Sequence, residues 1–132
     1  MPIVGHGVDL VEIDRIREML ERHGRRFIER CFTPGEAAYA DLAKRRRAER
    51  YAVRFAAKEA ALKALGTGLR DGVRWTDIAV DREPSGRPML LVSGRARELA
   101  DRQGISGWRV SLTHTGNFAM ASVIVVAGPS TD

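Results

Sequence analysis

Residue types that bind metals and phosphates recur at helical spacing between Arg54 and Gly68. This segment is rich in Ala, Leu, Lys and Glu until Gly66, so we expect a helix that ends there. Phe55, Glu59 and Lys63 recur every four residues and share one stripe of that helix. A carboxylate and an ammonium on one face, next to a glycine turn, can approach a ligand closely. They also match a common solvated surface pair, worth only about 0.3–0.5 kcal/mol.

Two further residues could join that face, although both lie far from it in the sequence. Asp9 follows the apolar, glycine-containing run 3–8, which predicts a short buried strand that ends at Asp9. Gly5 and Gly7 leave one face of this strand bare, as happens where a backbone or a ligand approaches. Asp9 is equally able to cap the helix that follows, which is the commoner role of such a residue. His114 stands at the end of a later predicted strand, beside a hairpin turn.

Asp9 and Glu59 form a pair that suits Mg²⁺, which takes one or two carboxylates together with water and substrate phosphates. Lys63 would add a positive charge for a phosphate, and the turn Gly66-Thr67-Gly68 would add backbone N–H groups. An ordinary nucleotide-binding domain is disfavoured, because the sequence has neither a Walker A motif nor a dinucleotide-binding glycine motif. A serine hydrolase is disfavoured as well, since no nucleophile elbow is present.

The composition is that of an ordinary globular protein. With 132 residues, 44% hydrophobic and 30% charged, we expect one domain over residues 1–132. No apolar run approaches the roughly 18 residues of a membrane helix, and we expect no signal peptide and no membrane partner. The lone Cys31 excludes an intrachain disulfide and suits the cytoplasm. A net charge of +5 predicts an acidic or phosphorylated partner.

The first half of the chain is predicted to be helical. Apolar residues at helical spacing predict a first helix from about Leu10 to His23 that ends at Gly24. A basic face with a methionine suits the docking of an acidic helix, although most charged faces are only solvated. This face consists of Arg15, Met19, Arg22 and, beyond the break, Arg26.

Two more helices follow. Thr33 and Glu36, with a proline directly after Thr33, form a capping box, so a second helix begins there. The long third helix is expected from about Glu49 to Leu65. The basic run 44–47 between them marks a turn, a helix end or a phosphate-facing patch.

The second half of the chain is predicted to consist mainly of strands. The predicted elements are a hairpin of strands at 78–80 and 89–92, an amphipathic helix over 95–103, an alternating strand over 108–113, a buried strand over 119–126 and a loose tail over 128–132. The expected fold class is therefore α+β, with helices packed on a mainly antiparallel sheet.

Three segments resemble, in order and spacing, the signature blocks of the bacterial holo-acyl-carrier-protein synthases, the small phosphopantetheinyl transferases. They are GVDLVEI at 7–13, RFAAKEAALKALGTG at 54–68 and VSLTHT at 110–115. The middle block, F-x-x-K-E-A-x-x-K-A followed by G-T-G, is highly specific. The resemblance spans residues 3 to about 126 and is weaker around 103–108.

The resemblance implies a phosphopantetheinyl transferase-like fold and a reaction. The 4′-phosphopantetheine group of coenzyme A would pass to a serine of apo acyl carrier protein, with adenosine 3′,5′-bisphosphate as the by-product, in support of fatty acid biosynthesis. The resemblance also implies a homotrimer with active sites at the subunit interfaces.

The resemblance also implies roles for individual residues. Asp9 and Glu59 would hold Mg²⁺ against the coenzyme A diphosphate, and Lys63 would neutralise charge on the reacting phosphorus. Further contacts to coenzyme A would come from the Gly66-Thr67-Gly68 turn and, from a neighbouring subunit, His114 and Thr115.

Two roles stay open. Lys58 points about 100° away from Glu59 around the helix and receives no firm assignment. The base that removes the serine proton could be Glu59, Asp9 or a metal-bound water.

The basic first helix would attract an acidic carrier protein. One rival function is a basic nucleic-acid-binding domain, but the chain lacks a run of stacking aromatic residues, and a carboxylate pair without a metal would repel phosphate. A second rival is an Mg²⁺-dependent phosphatase, which would need no docking face for a carrier protein.

Overall fold

The computed structural model describes residues 1–128; the rest of the predicted loose tail, from residue 129 onward, lies outside the described residues. The described elements, in chain order, are β1 (Ile3–Glu12), α1 (Ile13–Cys31), α2 (Pro34–Asp41), α3 (Arg47–Leu65), a 3₁₀ turn (Trp75–Asp77), β2 (Ile78–Arg82), β3 (Pro88–Val92), α4 (Gly94–Arg102), β4 (Ile105–Thr115) and β5 (Phe118–Ala127). No helix within this part of the chain is long and apolar enough to cross a membrane.

The strands form two antiparallel sheets, and the α+β class is confirmed. The larger sheet has the order β1-β5-β4, and β2 pairs with β3 in a separate two-stranded sheet. The predicted hairpin is therefore present, but it does not join the main sheet. Helix α3 packs across one face of the main sheet, the inner face, and its alanines at positions 56, 57, 60 and 61 are fully buried there.

The two glycines of β1 allow α3 to contact this strand through its backbone. A Cβ atom at Gly7 would lie 1.9 Å from the carbonyl oxygen of Ala60, and one at Gly5 would lie 2.3 Å from that of Ala64. Real Cβ atoms do not approach so closely, so any larger residue would push the helix away. The predicted close approach of another backbone is confirmed.

The predicted bounds of β1 and α1 were wrong. The strand does not end at Asp9 but continues to Glu12, because its last residues pair with β5 as far as Phe118. Nor is β1 buried on both faces: it is an edge strand whose outer face is exposed. Helix α1 begins at Ile13 and not near Leu10. The predicted break at Gly24 is present as a non-helical kink with φ 38° and ψ −115°, beyond which the helix resumes and continues to Cys31.

The capping role considered for Asp9 is excluded by the start of α1. Glu12 occupies the N-cap position of this helix, but its side chain forms no capping hydrogen bond. Asn117, in the turn between β4 and β5, accepts hydrogen bonds instead: its carbonyl oxygen from the Ile13 N–H at 2.7 Å and its Oδ1 from the Asp14 N–H at 2.9 Å. The Asp9 carboxylate is therefore available for other contacts.

The start of α2 and the end of α3 agree with the sequence. Thr33 and Glu36 form the predicted capping box, and Gly66 ends α3 in a left-handed conformation with φ 86°. Helix α3 begins at Arg47, two residues earlier than expected. Of the basic run, residues 44–46 form the turn between α2 and α3, and Arg47 pairs with Asp41 at 2.8 Å.

Part of the outer face of the main sheet, where β1 pairs with the beginning of β5, is apolar and exposed. Leu10 of β1 lies opposite Met120 of β5, with exposed fractions of 61% and 39%, and Val8 and Phe118 extend the same surface. Soluble monomers rarely leave such a contiguous apolar surface open, so this face indicates a protein partner.

Candidate active site

Asp9, Glu59 and Lys63 come together at the contact of β1 with α3. Asp9 and Glu59 line one cavity of about 480 Å³. The Lys63 ammonium donates to Asp9 Oδ1 at 3.2 Å and to the carbonyl oxygen of Val8 at 3.0 Å. Asp9 is carried by the inner face of β1, two residues beyond Gly7, and the other two by the exposed side of α3.

The environment of Glu59 opposes its ionisation. Burial raises the pKa of the Glu59 carboxyl, and the charge of Asp9 raises it further, while Lys63 and Arg15 act in the opposite direction. A carboxylate pair that repels itself in a partly buried cavity is a suitable place for a cation. No group of three or more His, Cys, Asp or Glu side chains that could hold a metal ion occurs within residues 1–128.

A second cavity of about 520 Å³ lies beside the first and is mostly apolar. Both cavities are lined by Met19, Phe27 and Phe55, so they form a continuous depression between α1 and α3. Phe55 stacks on Trp75 with ring centroids 4.9 Å apart. The rim of this second cavity is basic and consists of His23, Arg26 and Arg30.

The residues predicted for docking divide between the cavities and the surface. Arg15 lines the acidic cavity and Arg26 the apolar one, whereas Arg22 is exposed outside both. Met19, predicted to lie among the arginines of this docking face, is half-buried, packs against the core and lines both cavities.

His114 and Thr115 lie on β4, the opposite edge of the main sheet from Asp9. Two strand spacings, about 10 Å, separate these edges, and α3 packs across the inner face between them. His114 Nε2 lies 3.5 Å from Glu49 Oε2, near the beginning of α3. A single chain therefore does not bring His114 to the carboxylate pair.

The turn Gly66-Thr67-Gly68 follows the end of α3, and none of its residues lines the cavity of Asp9 and Glu59. Gly66 and Gly68 both have positive φ angles, 86° and 59°, and a Cβ atom at either would meet nothing within 4 Å. The conformation requires glycine, and the space around the turn leaves room for a ligand.

Lys58 points into the protein and not into the cavity. It is fully buried, and its ammonium lies 2.7 Å from Glu36 Oε1. The expected divergence of Lys58 and Glu59 around α3 is thus present, and Lys58 has no direct access to a substrate.

A cluster of arginines around Tyr39 was not expected from the sequence. The guanidinium groups of Arg50, Arg54 and Arg82 lie 4.2, 4.3 and 5.1 Å from the centre of the Tyr39 ring. Arg54 is 3% exposed, and its Nε has no hydrogen-bond partner within residues 1–128. Burial, followed by the charge of Arg82, lowers the pKa of Arg54. The spacing of Arg50 and Arg54 by one helical turn was the only available sequence signal.

Residues 5–123 match the 4′-phosphopantetheinyl transferase superfamily. A holo-[acyl-carrier-protein] synthase of Solibacter usitatus is 51% identical over 123 residues, which cover 93% of this chain and 98% of that protein. One of Koribacter versatilis is 49% identical over 125 residues, with the same coverage of both chains.

Solved structures of the same family share the fold. The holo-[acyl-carrier-protein] synthase of Neisseria meningitidis superposes with a TM-score of 0.86 at 32% identity, covering 95% of this chain and 99% of that one. The Helicobacter pylori enzyme, in complex with coenzyme A, superposes with a TM-score of 0.80 at 30% identity, covering 92% and 99%. The chain therefore belongs to the holo-[acyl-carrier-protein] synthases of the 4′-phosphopantetheinyl transferase superfamily.

Proposed function

We propose that this protein transfers the 4′-phosphopantetheine group of coenzyme A to a serine of apo acyl carrier protein and so supports fatty acid biosynthesis. The observation that carries the proposal is the position of the Asp9, Glu59 and Lys63 cluster beside a basic-rimmed apolar cavity. Phosphoryl-type transfer needs cations at the reacting phosphate, and a macromolecular acceptor needs a docking surface next to it. Membership of the family and the coenzyme A complex of the Helicobacter pylori relative support the same reaction.

In this reaction the serine oxygen bonds to the phosphorus that bears pantetheine. The bond from that phosphorus to the bridging oxygen of the diphosphate breaks, and adenosine 3′,5′-bisphosphate leaves with that oxygen. Of the two carboxylates, Glu59 is the better candidate for accepting the serine proton, because Lys63 already pairs with Asp9. Lys63 remains half-exposed and can turn from Asp9 to a bound phosphate.

The donor set fits Mg²⁺. Asp9 and Glu59 would hold the ion, because their charges repel each other in one cavity and both offer the oxygen ligands that Mg²⁺ prefers. When bound, the ion would neutralise charge that develops on the diphosphate. The protein's own contribution is to keep the two carboxylates on the rigid contact of β1 with α3.

Coenzyme A carries a diphosphate and a 3′-phosphate, so it needs several cationic or N–H contacts. We assign these to Lys63, to the Gly66-Thr67-Gly68 turn, and to His114 and Thr115 of a neighbouring subunit. The arginine cluster around Tyr39 is a further candidate, since three guanidinium groups converge there and form no salt bridge within residues 1–128. Glu49, which contacts His114, directly precedes Arg50 of that cluster.

The acidic carrier protein would dock on α1. Arg15 and Arg26 line the two cavities, and Arg22 lies on the exposed surface nearby. The positive charges therefore surround the depression whose two cavities Met19 lines. Charged rims of this kind guide association, and the apolar cavity between them can receive a side chain of the partner.

A homotrimer would explain both the exposed outer face of the sheet and the separation of the predicted site residues. The apolar surface of Leu10, Met120 and Phe118 needs a cover, and a second copy would bring its own β4 edge, with His114, to the β1 edge of the first. We assign the protein to the cytoplasm, in keeping with its single, buried and free cysteine.

The direct test is incubation of the protein with coenzyme A, Mg²⁺ and apo acyl carrier protein, followed by mass spectrometry of the carrier. We expect the carrier to gain one phosphopantetheine group, and a carrier with its acceptor serine replaced by alanine to gain none. Hydrolysis of coenzyme A without transfer would favour the phosphatase alternative. If neither transfer to the carrier nor hydrolysis of coenzyme A occurs, the proposal is contradicted.

Replacement of Glu59 distinguishes the effect of its charge on folding stability from its role in metal binding and transfer. A raised pKa means that ionised Glu59 opposes folding above that pKa, so Glu59→Gln should raise the melting temperature of the metal-free protein at pH 8. The gain should vanish below the ordinary value of 4.5. Mg²⁺ should stabilise the wild type but not the variant, and transfer should fall by at least about a hundredfold. Exposed Glu83→Gln is the control. A destabilised Glu59→Gln protein at pH 8 would refute this account.

The docking face can be tested by charge reversal. Arg26→Glu should raise the KM for carrier protein by about tenfold, with the KM for coenzyme A within about twofold of wild type. The difference in KM for carrier protein between Arg26→Glu and the wild type should shrink with added salt, because the Debye length is only about 8 Å at physiological ionic strength. Arg97→Glu on α4 is the matched control. Equal increases in both KM values would indicate a structural role for Arg26.

Sharing of the site between subunits can be tested by mixing two inactive variants. Glu59→Ala and His114→Ala chains, refolded together, should regain activity, because some interfaces then pair an intact carboxylate half with an intact His114 half. Native mass spectrometry would verify that mixed trimers form. Activity no higher than that of either parent, in the presence of mixed trimers, would place both residues in one subunit's site.

A further inference from the structure

The ammonium of Lys58 uses all three of its N–H groups inside the protein. It pairs with Glu36 Oε1 at 2.7 Å, donates to the carbonyl oxygen of Trp75 at 3.2 Å and donates to the carbonyl oxygen of Ile78. Lys58 is 0% exposed and Glu36 is 3% exposed. A buried ammonium with three such partners is fully satisfied, so it has no group left for a ligand.

Glu36 is satisfied as well. Its Oε1 also accepts from the backbone N–H of Thr33, and its Oε2 accepts from that of Val80, both at 2.9 Å. The pair therefore joins the start of α2, the middle of α3, the 3₁₀ turn and β2. Through Lys58, helix α3 is fixed to the turn that bears Trp75.

Stability does not by itself account for a buried ion pair at this point. Desolvation of the two charges offsets most of their attraction, and well-packed apolar residues in place of such a pair are often neutral or stabilising. Burial lowers the pKa of Lys58, and the negative charge of Glu36 acts in the opposite direction. Desolvation and attraction therefore oppose each other at this pair. What a lysine supplies, and an apolar residue cannot, is N–H donors for the carbonyl groups of Trp75 and Ile78.

One of those carbonyl groups belongs to Trp75 itself, at the beginning of the 3₁₀ turn. The indole ring of Trp75 stacks on Phe55 at 4.9 Å, and both side chains line the apolar cavity, with Phe55 also lining the cavity of Glu59. Movement of the 3₁₀ turn would shift this wall, whereas Asp9 and Glu59 are positioned by β1 and α3 and not by the turn.

We propose that Lys58 is a positioning residue that fixes the Trp75–Phe55 wall of the apolar cavity, and with it the recognition of the acceptor protein. The inference rests on the proposed function, since it assigns this cavity to the carrier and not to coenzyme A. Lys58 acts through Trp75 and touches neither substrate.

The test uses a background in which Trp75 is the only tryptophan. Trp108→Phe removes the other one, which lies on β4 away from both cavities. Transfer by this protein is measured first, so that failure of the proposed function is recognised independently. Lys58→Met is then added. Because it leaves Glu36 buried without its cation, Glu36→Gln/Lys58→Met is made as a second variant that keeps no charge at the site.

We expect the folded variant to raise the KM for carrier protein by about tenfold, while kcat and the KM for coenzyme A stay within about twofold. The emission of Trp75 should shift to longer wavelength and be quenched more easily by acrylamide. Ile105→Ala removes buried contacts of β4 outside both cavities and is the control for lost stability. It should change neither the KM for carrier protein nor the emission of Trp75.

Two outcomes would overturn the proposal. An unchanged KM for carrier in a folded variant would show that Lys58 does not act on recognition. A uniform loss of kcat with both KM values unchanged, and with unchanged Trp75 emission, would assign Lys58 to the catalytic geometry around Glu59. The fluorescence measurement needs no substrate, so it tests the positioning of Trp75 even if transfer is absent.

Discussion

The backbone contact between β1 and α3 is the constraint on which the site depends. It exists because Gly5 and Gly7 have no side chains: a Cβ atom at either would lie within 2.3 Å of a carbonyl oxygen of the helix. At this distance the next inward-facing residue of the strand, Asp9, reaches the helix face of Glu59 and Lys63. Two carboxylates that repel each other are thereby held by rigid elements, which suits the capture of a cation better than placement on a loop would.

Helix α3 serves two environments through adjacent residues. A step of about 100° separates Lys58, which is fully buried and joins three other elements, from Glu59, which faces the cavity. The buried ion pair and the Glu59 carboxylate of the candidate site thus share one rigid helix. The Trp75–Phe55 stack connects the turn held by the buried pair to the wall of the neighbouring cavity.

Local rules were sufficient for features that depend on neighbours in the sequence. The stripe of Glu59 and Lys63, the capping box at Thr33 and the left-handed Gly66 follow from helical spacing and turn chemistry. Local rules were not sufficient where the interacting residues are distant in the sequence. Strand β1 is extended to Glu12 by pairing with β5, and α1 receives its cap from Asn117, about a hundred residues away. No periodicity in the sequence encodes either contact.

The arrangement of the main sheet links assembly to chemistry. With β5 in the centre, β1 and β4 are both edges, and their polar residues Asp9 and His114 occupy opposite sides of one chain. The same sheet leaves Leu10, Phe118 and Met120 exposed on its outer face. Covering that face with another copy removes apolar surface from water, a gain of roughly 25 cal/mol per Å². In the proposed trimer, the β4 edge of one chain would lie beside the β1 edge of another. Burial of the apolar face would therefore stabilise the arrangement in which the two halves of a site meet, so that a chain without partners would be incomplete both in its surface and in its chemistry.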